Sequence, residues 1–208
     1  KRQTVQRTHQ VELDITGERT EIPEFSGVKH DLALVNDEDL TYCLMGLDAE
    51  QQQFAVEHLG QIEDSLAKTL VWSSLWESVR DGRLPARKYV ELVAREVGPD
   101  MQERIAAQAT EAVKRYVDPA WRRTGFDLLN EAFRGQEPKA VFDRALARLE
   151  PTEETVEYFK DLLKSSENQE VRWLAITNLI AAGALPLEAA DEEQDETSEG
   201  AISRLRAR

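Results

Sequence analysis

The stretch DSLAKTLVWSSLWESVRDG, residues 64–82, sets the architecture of the chain. Leu66, Leu70, Trp72, Leu75, Trp76 and Val79 recur at helical intervals and predict a helix with a broad apolar face. Glu63, Asp64 and Ser65 make a good helix start, and Gly82 is the residue expected just past a helix C-terminus. Pro85 sits at a first-turn position, where its missing N–H is no loss, and opens ARKYVELVAREVG.

The same period runs outward in both directions. FAVEHLGQI, residues 54–62, reads as a preceding helix. Further helices are expected at about 100–116, 119–134, 138–149, 152–165 and 168–182, punctuated by Pro99, Pro119, Pro138, Pro151 and Gly183. Starts near 50, 85, 119, 152 and 186 lie about 34 residues apart, with another helix inside most intervals. That is the rhythm of stacked antiparallel helix pairs, as in HEAT-like solenoids. Trp72 and Trp76 have no counterparts one period later, so the expectation is mainly α: an irregular HEAT-like array without recent duplication.

Toward the N-terminus the character changes at LVNDEDLTY, residues 34–42. HQVELDI (9–15) alternates Val11, Leu13 and Ile15 with polar neighbours, the period of a half-buried strand. Thr16-Gly17-Glu18 supplies a turn, and RTEI (19–22) reads as a short strand stopped by Pro23. DLALV (31–35) and LTYCLMGL (40–47) predict a hairpin around Asn36-Asp37-Glu38-Asp39. A small antiparallel β-sheet segment over residues 1–47 is therefore expected before a helical domain over 48–208.

Composition narrows the partners. The 208 residues carry a net charge of −14 and a pI near 4.7, which disfavours nucleic acid and anionic membrane surfaces. Cys43 is the single cysteine, so no intramolecular disulfide can form, and a cytoplasmic location is expected. No run of 18 apolar residues offers a transmembrane helix. The start KRQTVQRTHQ, without Met or a signal-peptide core, suggests a piece of a longer polypeptide. The acids of 188–199 read as a solvated stretch before a basic tail ending RLRAR.

Catalytic patterns are missing. His9, His30 and His58 lack the one-turn spacing of a zinc site. A calcium loop starting at Asp37 would need Gly where Tyr42 stands and Glu where Asp48 stands. Cys43, on an apolar strand without a basic neighbour, reads as a small buried hydrophobe. No phosphate-cradling glycine motif occurs. Trp72, Trp76, Trp121 and Trp173 read as packing residues rather than an aromatic pocket. No catalytic, metal or substrate-binding residue is assigned. Arg80, Arg83, Arg172 and Trp173 are conceivable contacts, against the plainer reading of surface ion pairs and packing.

Four stretches carry a resemblance: DLALVNDEDLTYCLMGLD (31–48), EHLGQIEDSLAKTLVWSSLWESVRDGRLPARKYVELVARE (57–96), RYVDPAWR (115–122) and VRWLAITNLIAAG (171–183). Together they resemble the C-terminal part of bacterial aminopeptidase N, the gluzincin zinc metallo-aminopeptidases. The resemblance implies that residues 1–47 belong to a small β-sandwich and 48–208 to a helical, bowl-like domain. It implies a parent polypeptide that holds zinc and removes N-terminal residues from peptides. HExxH and GAMEN, the family's zinc and substrate-amine motifs, do not occur here, so the chain itself needs no cofactor. Its implied partners are the catalytic domain of the same polypeptide, which it would cap, and peptide substrates, whose access it would limit. Two other readings stay open: a free-standing HEAT-like scaffold for a protein partner, and a dimer whose strands pair between chains.

Overall fold

The computed structural model describes residues 4–137 and 139–208; Pro138, one of the expected punctuation points, lies outside them. The chain divides into two compact units, Lys1–Leu84 and Pro85–Arg208. Ten α-helices and no strand occur among the described residues. None of these helices is long and apolar enough to cross a membrane.

The first unit contains α1, Ala49–His58, and α2, Ser65–Arg80. Each begins at an aspartate whose carboxylate accepts a free first-turn N–H. Asp48 takes that of Gln51 and Asp64 that of Ala67, both at 2.8 Å. From Leu70 onward α2 is buried nearly all round, including Val71, Trp72, Leu75, Trp76 and Val79, while Leu66 in its first turn stays exposed. Gly82 then takes φ +71, a conformation a side chain would resist, and donates its N–H to the Val79 carbonyl.

The expected antiparallel sheet over residues 9–47 is not formed. The only pairing near this segment, among the described residues, is an isolated parallel bridge between Val5 and Ile62. Ile15 is 66% exposed and Leu44 85%, so no second layer covers the alternating side chains. The physical reason is that an extended segment closes no hydrogen bonds with itself and needs neighbouring strands. The turn chemistry is nevertheless as expected. Asn36 and Asp39 take φ of +62 and +53, and the Asp39 N–H donates to the Asn36 carbonyl at 2.8 Å. The Asn36 side chain then bonds both the N–H and the carbonyl of Thr41, groups a paired strand would have used.

The second unit runs through α3 (Ala86–Arg95), α4 (Glu103–Arg115), α5 (Arg122–Phe133), α6 (Lys139–Leu146), α7 (Glu153–Ser165), α8 (Gln169–Ala181), α9 (Ala189–Glu192) and α10 (Ser198–Ala207). A single 3-10 turn, Pro119–Trp121, leads into α5, with Asp118 capping the Ala120 N–H. Packing follows chain order closely: α3 meets α4 and α5, α4 meets α6, and α8 meets α7, α9 and α10. Tyr89 and Val93 of α3, Ala109 and Val113 of α4, Phe126 and Phe133 of α5, Phe142 of α6 and Phe159 of α7 are fully buried. Small residues along α4, including Ala106, Ala109 and Ala112, leave room for these larger side chains. The basic tail, for which the apolar pattern predicts no helix, folds as α10.

Candidate functional site

A dense set of polar contacts lies between α8 and the segment that runs through α9 and α10. Arg172 and Trp173, neighbours on α8, reach two carboxylates on the loop after α9. Arg172 holds Glu193 by two bonds of 2.7 Å, Nε to Oε1 and Nη2 to Oε2, and Gln169 adds a third at 2.7 Å. The remaining Arg172 nitrogen, Nη1, donates to the carbonyls of Leu163 and Ser166. The Trp173 indole N–H donates to Asp195 at 2.8 Å. Asp195 also accepts from the hydroxyl of Thr197, at 2.6 Å, and from its backbone N–H.

Thr197 in turn caps α10, accepting the Gly200 N–H at 3.0 Å. Gly200 is required by space: a Cβ there would lie 2.3 Å from the Asp195 carboxyl carbon and 2.6 Å from its backbone oxygen. Arg204 closes the set. It donates to the carbonyls of Ala190, Glu193 and Asp195 and lies over the Trp173 ring at 5.7 Å. The bonds from Arg172 hold the Glu193 carboxyl below its ordinary range. Those from Thr197 and then Trp173 do the same for Asp195.

Two further polar nodes stitch the helices of this unit. Asn130 on α5 donates to the carbonyls of Phe126 and Glu150 and accepts from the Thr155 hydroxyl, at 2.9, 2.9 and 2.7 Å. Asp143 on α6 accepts the Tyr158 hydroxyl of α7 at 2.6 Å. Burial pushes the Asp143 carboxyl up from its ordinary range, and the Tyr158 bond offsets part of that. On the outer side, Arg144 joins Glu103 of α4 to Glu170 of α8.

These arrangements hold helices together; none presents a free nucleophile or base to a pocket. Arg80 and Arg83 form the exposed pairs Arg80–Glu77 and Arg83–Asp81, while Arg172 and Trp173 belong to the set above. Trp72, Trp76 and Trp173 are buried, and Trp121 stacks beneath Arg87 at 5.3 Å, so the tryptophans pack rather than line a cavity. Asp37 and Glu38 pair with Arg7, at 3.1 and 3.3 Å, and leave no calcium loop.

Cys43 is exposed, not buried as expected, because the strand that would have covered it is unpaired. The acids of 188–199 are likewise not simply solvated, since Glu193 and Asp195 are taken up by α8 and α10. The sequence signal for this is a threonine, Thr197, standing just before a helix and two residues after an aspartate.

His58 lies against Phe54 and bonds Gln61, and His9 bonds Thr8. No three His, Cys, Asp or Glu side chains converge among the described residues. The concavity lined by Thr152, Glu153, Val156, Glu157 and Ala182, about 410 Å³, is shallow and holds no convergent polar set.

A family model described as "ERAP1-like C-terminal domain" matches residues 32–208. Aminopeptidase N of Streptomyces lividans is 29% identical to this chain over 216 aligned positions, covering 93% of the chain. The chain spans about a quarter, 25%, of that relative's length.

Proposed function

This chain belongs to the ERAP1-like C-terminal domain family, and from that membership we propose that it is the non-catalytic C-terminal region of a zinc aminopeptidase. The observation that carries this reading is the family match over residues 32–208. The parent, on this reading, removes N-terminal residues from peptides in the cytoplasm. Its zinc is held elsewhere, in a catalytic domain of the same polypeptide, and no step of that chemistry is assigned to residues of this chain.

The role proposed for residues 48–208, as a HEAT-like helical array, is to cap the catalytic domain and limit which peptides reach it. The net charge of −14 supports a second part of that role, attraction of a peptide's ammonium terminus and basic side chains. Residues 31–47 play a separate part, as strands of a sheet completed by the preceding region of the parent. Exposed Leu40, Tyr42 and Leu44, alternating along an unpaired segment, support that placement.

The test compares the intact parent with a version truncated before residue 48, on a series of peptides of increasing length. The expected result is that truncation raises the cleavage of long peptides relative to short ones. An unchanged length profile in a folded, zinc-loaded truncated enzyme would contradict the access role.

A further inference from the structure

Residues 189–207 are fastened to α8 mainly by polar contacts. Among the described residues, the segment gives the local apolar cluster only Ala190 and Ala207, set against Trp173 and Ile176 with Leu163 and Ile180 alongside. The larger apolar residues of α10 face outward, Ile202 41% and Leu205 73% exposed. The segment adds only two alanines of its own to that cluster, so the apolar area it covers is mainly the faces of Trp173 and Ile176. The rest is the charge set already described, with the Glu193 side chain only 9% exposed.

The charged groups that face the two carboxylates are few. Arg172 comes from α8 and Arg204 from α10, and Glu193 and Asp195 repel each other weakly across the loop. Arg208 pairs with Asp191 at the outer edge and not with either of them. Gln169, Trp173 and Thr197 supply neutral donors.

We propose that residues 189–207 form a strap, latched to α8 by Glu193 and Asp195, that opens as a unit while α3 to α7 stay folded. Such sub-global opening is expected where apolar contacts are few and polar contacts carry the attachment. Opening bares Trp173 and Ile176. Because the latched carboxyls bind protons less readily than free ones, the open form takes up protons preferentially. The strap is therefore held above the ordinary carboxyl values of 4.5 for Glu193 and 3.8 for Asp195, and loosens as pH falls below them.

The test is amide hydrogen exchange on the full 208-residue chain, with rates corrected for the intrinsic effect of pH. Protection of α10 is compared with that of α4 and α5 at pH 7 and pH 3, in the native chain and in Glu193→Gln and Asp195→Asn. Asp161→Asn, an exposed acid in an ordinary surface pair, is the control. In the native chain, α10 should lose protection at the lower pH while α4 and α5 hold theirs. Each latch variant should show that loss already at pH 7, and the control should not. The proposal fails if α10 exchanges in step with α4 and α5 under both conditions. It fails equally if both latch variants lower protection in all helices together. Glu193→Gln keeps an acceptor for Arg172, so one folded variant remains even if Asp195→Asn disrupts the unit.

Discussion

Residues 9–47 and residues 85–208 are both patterned with apolar side chains, yet only the second set becomes regular structure. Beyond the first turn of each helix a backbone N–H finds its partner four residues back, and capping side chains serve several of the first turns, so local pattern and punctuation suffice. In the N-terminal segment the alternation of Val11, Leu13 and Ile15 specifies a strand, but a strand's partner is never local. The backbone structure that forms there is local, the 3-10 turn Pro23–Phe25 and the turn at Asn36–Asp39, and more distant contacts are made through side chains, as from Arg7 to Asp37 and Glu38. A helical pattern thus predicts structure, whereas a strand pattern predicts a requirement for something else.

Substitutions in the two regions put that contrast at risk. Phe142→Ala removes a fully buried ring that sits 5.5 Å from Phe133, and should cost about 3–5 kcal/mol in urea unfolding. A cost near zero would mean the helical core is not packed as described. Next comes Asn130→Ala, which removes the partner of the Glu150 carbonyl and leaves the Thr155 hydroxyl only its contact with Thr152. It should cost about 1–3 kcal/mol by the same measurement.

Asp143→Asn should act in the opposite direction. Burial raises this carboxyl's pKa in the folded chain, so the unfolded chain loses its proton first, near 3.8, as pH rises. The resulting penalty is absent below that value and fully present at neutral pH. The asparagine keeps an acceptor for Tyr158 and carries no charge. The variant should therefore melt higher than the native chain at pH 7, the gain vanishing below about pH 3.8. The smallest effect belongs to Leu44→Ala, expected within about 0.5 kcal/mol of the native chain because the side chain is exposed. On the proposal that a longer parent completes a sheet over this segment, the same change there should cost about 2–5 kcal/mol.

Much of the helical unit is legible in the sequence alone. Pro119, Pro151 and Gly183 mark real ends, and the caps Thr152 and Asn168 stand where α7 and α8 begin. The first helix starts at Ala49, close to the start expected near 50, with the Asp48 cap rather than an apolar face beginning it. The α10 helix escapes the apolar pattern for a related reason. Its attachment is through Asp195, Thr197 and Arg204, which periodicity does not register, and its apolar residues point outward.

Gly200 is equally silent, since the clash that demands a glycine is with Asp195 and arises only after folding. Burial of Cys43 does not follow from its apolar neighbours, because it depends on a sheet that needs other strands. Arg172 and Trp173 stand out as possible contacts, but nothing local shows that they face Glu193 and Asp195 some twenty residues on.

The helical unit bonds within its own helices, whereas residues 31–47, on the function proposed above, gain partner strands only in a longer parent. Hydrogen exchange on the 208-residue chain and on the intact parent separates the two directly. Protection of α3 to α8 should be the same in both, and protection of 40–47 should appear only in the parent. Protection of 40–47 in the isolated chain, or none in either, would contradict this division.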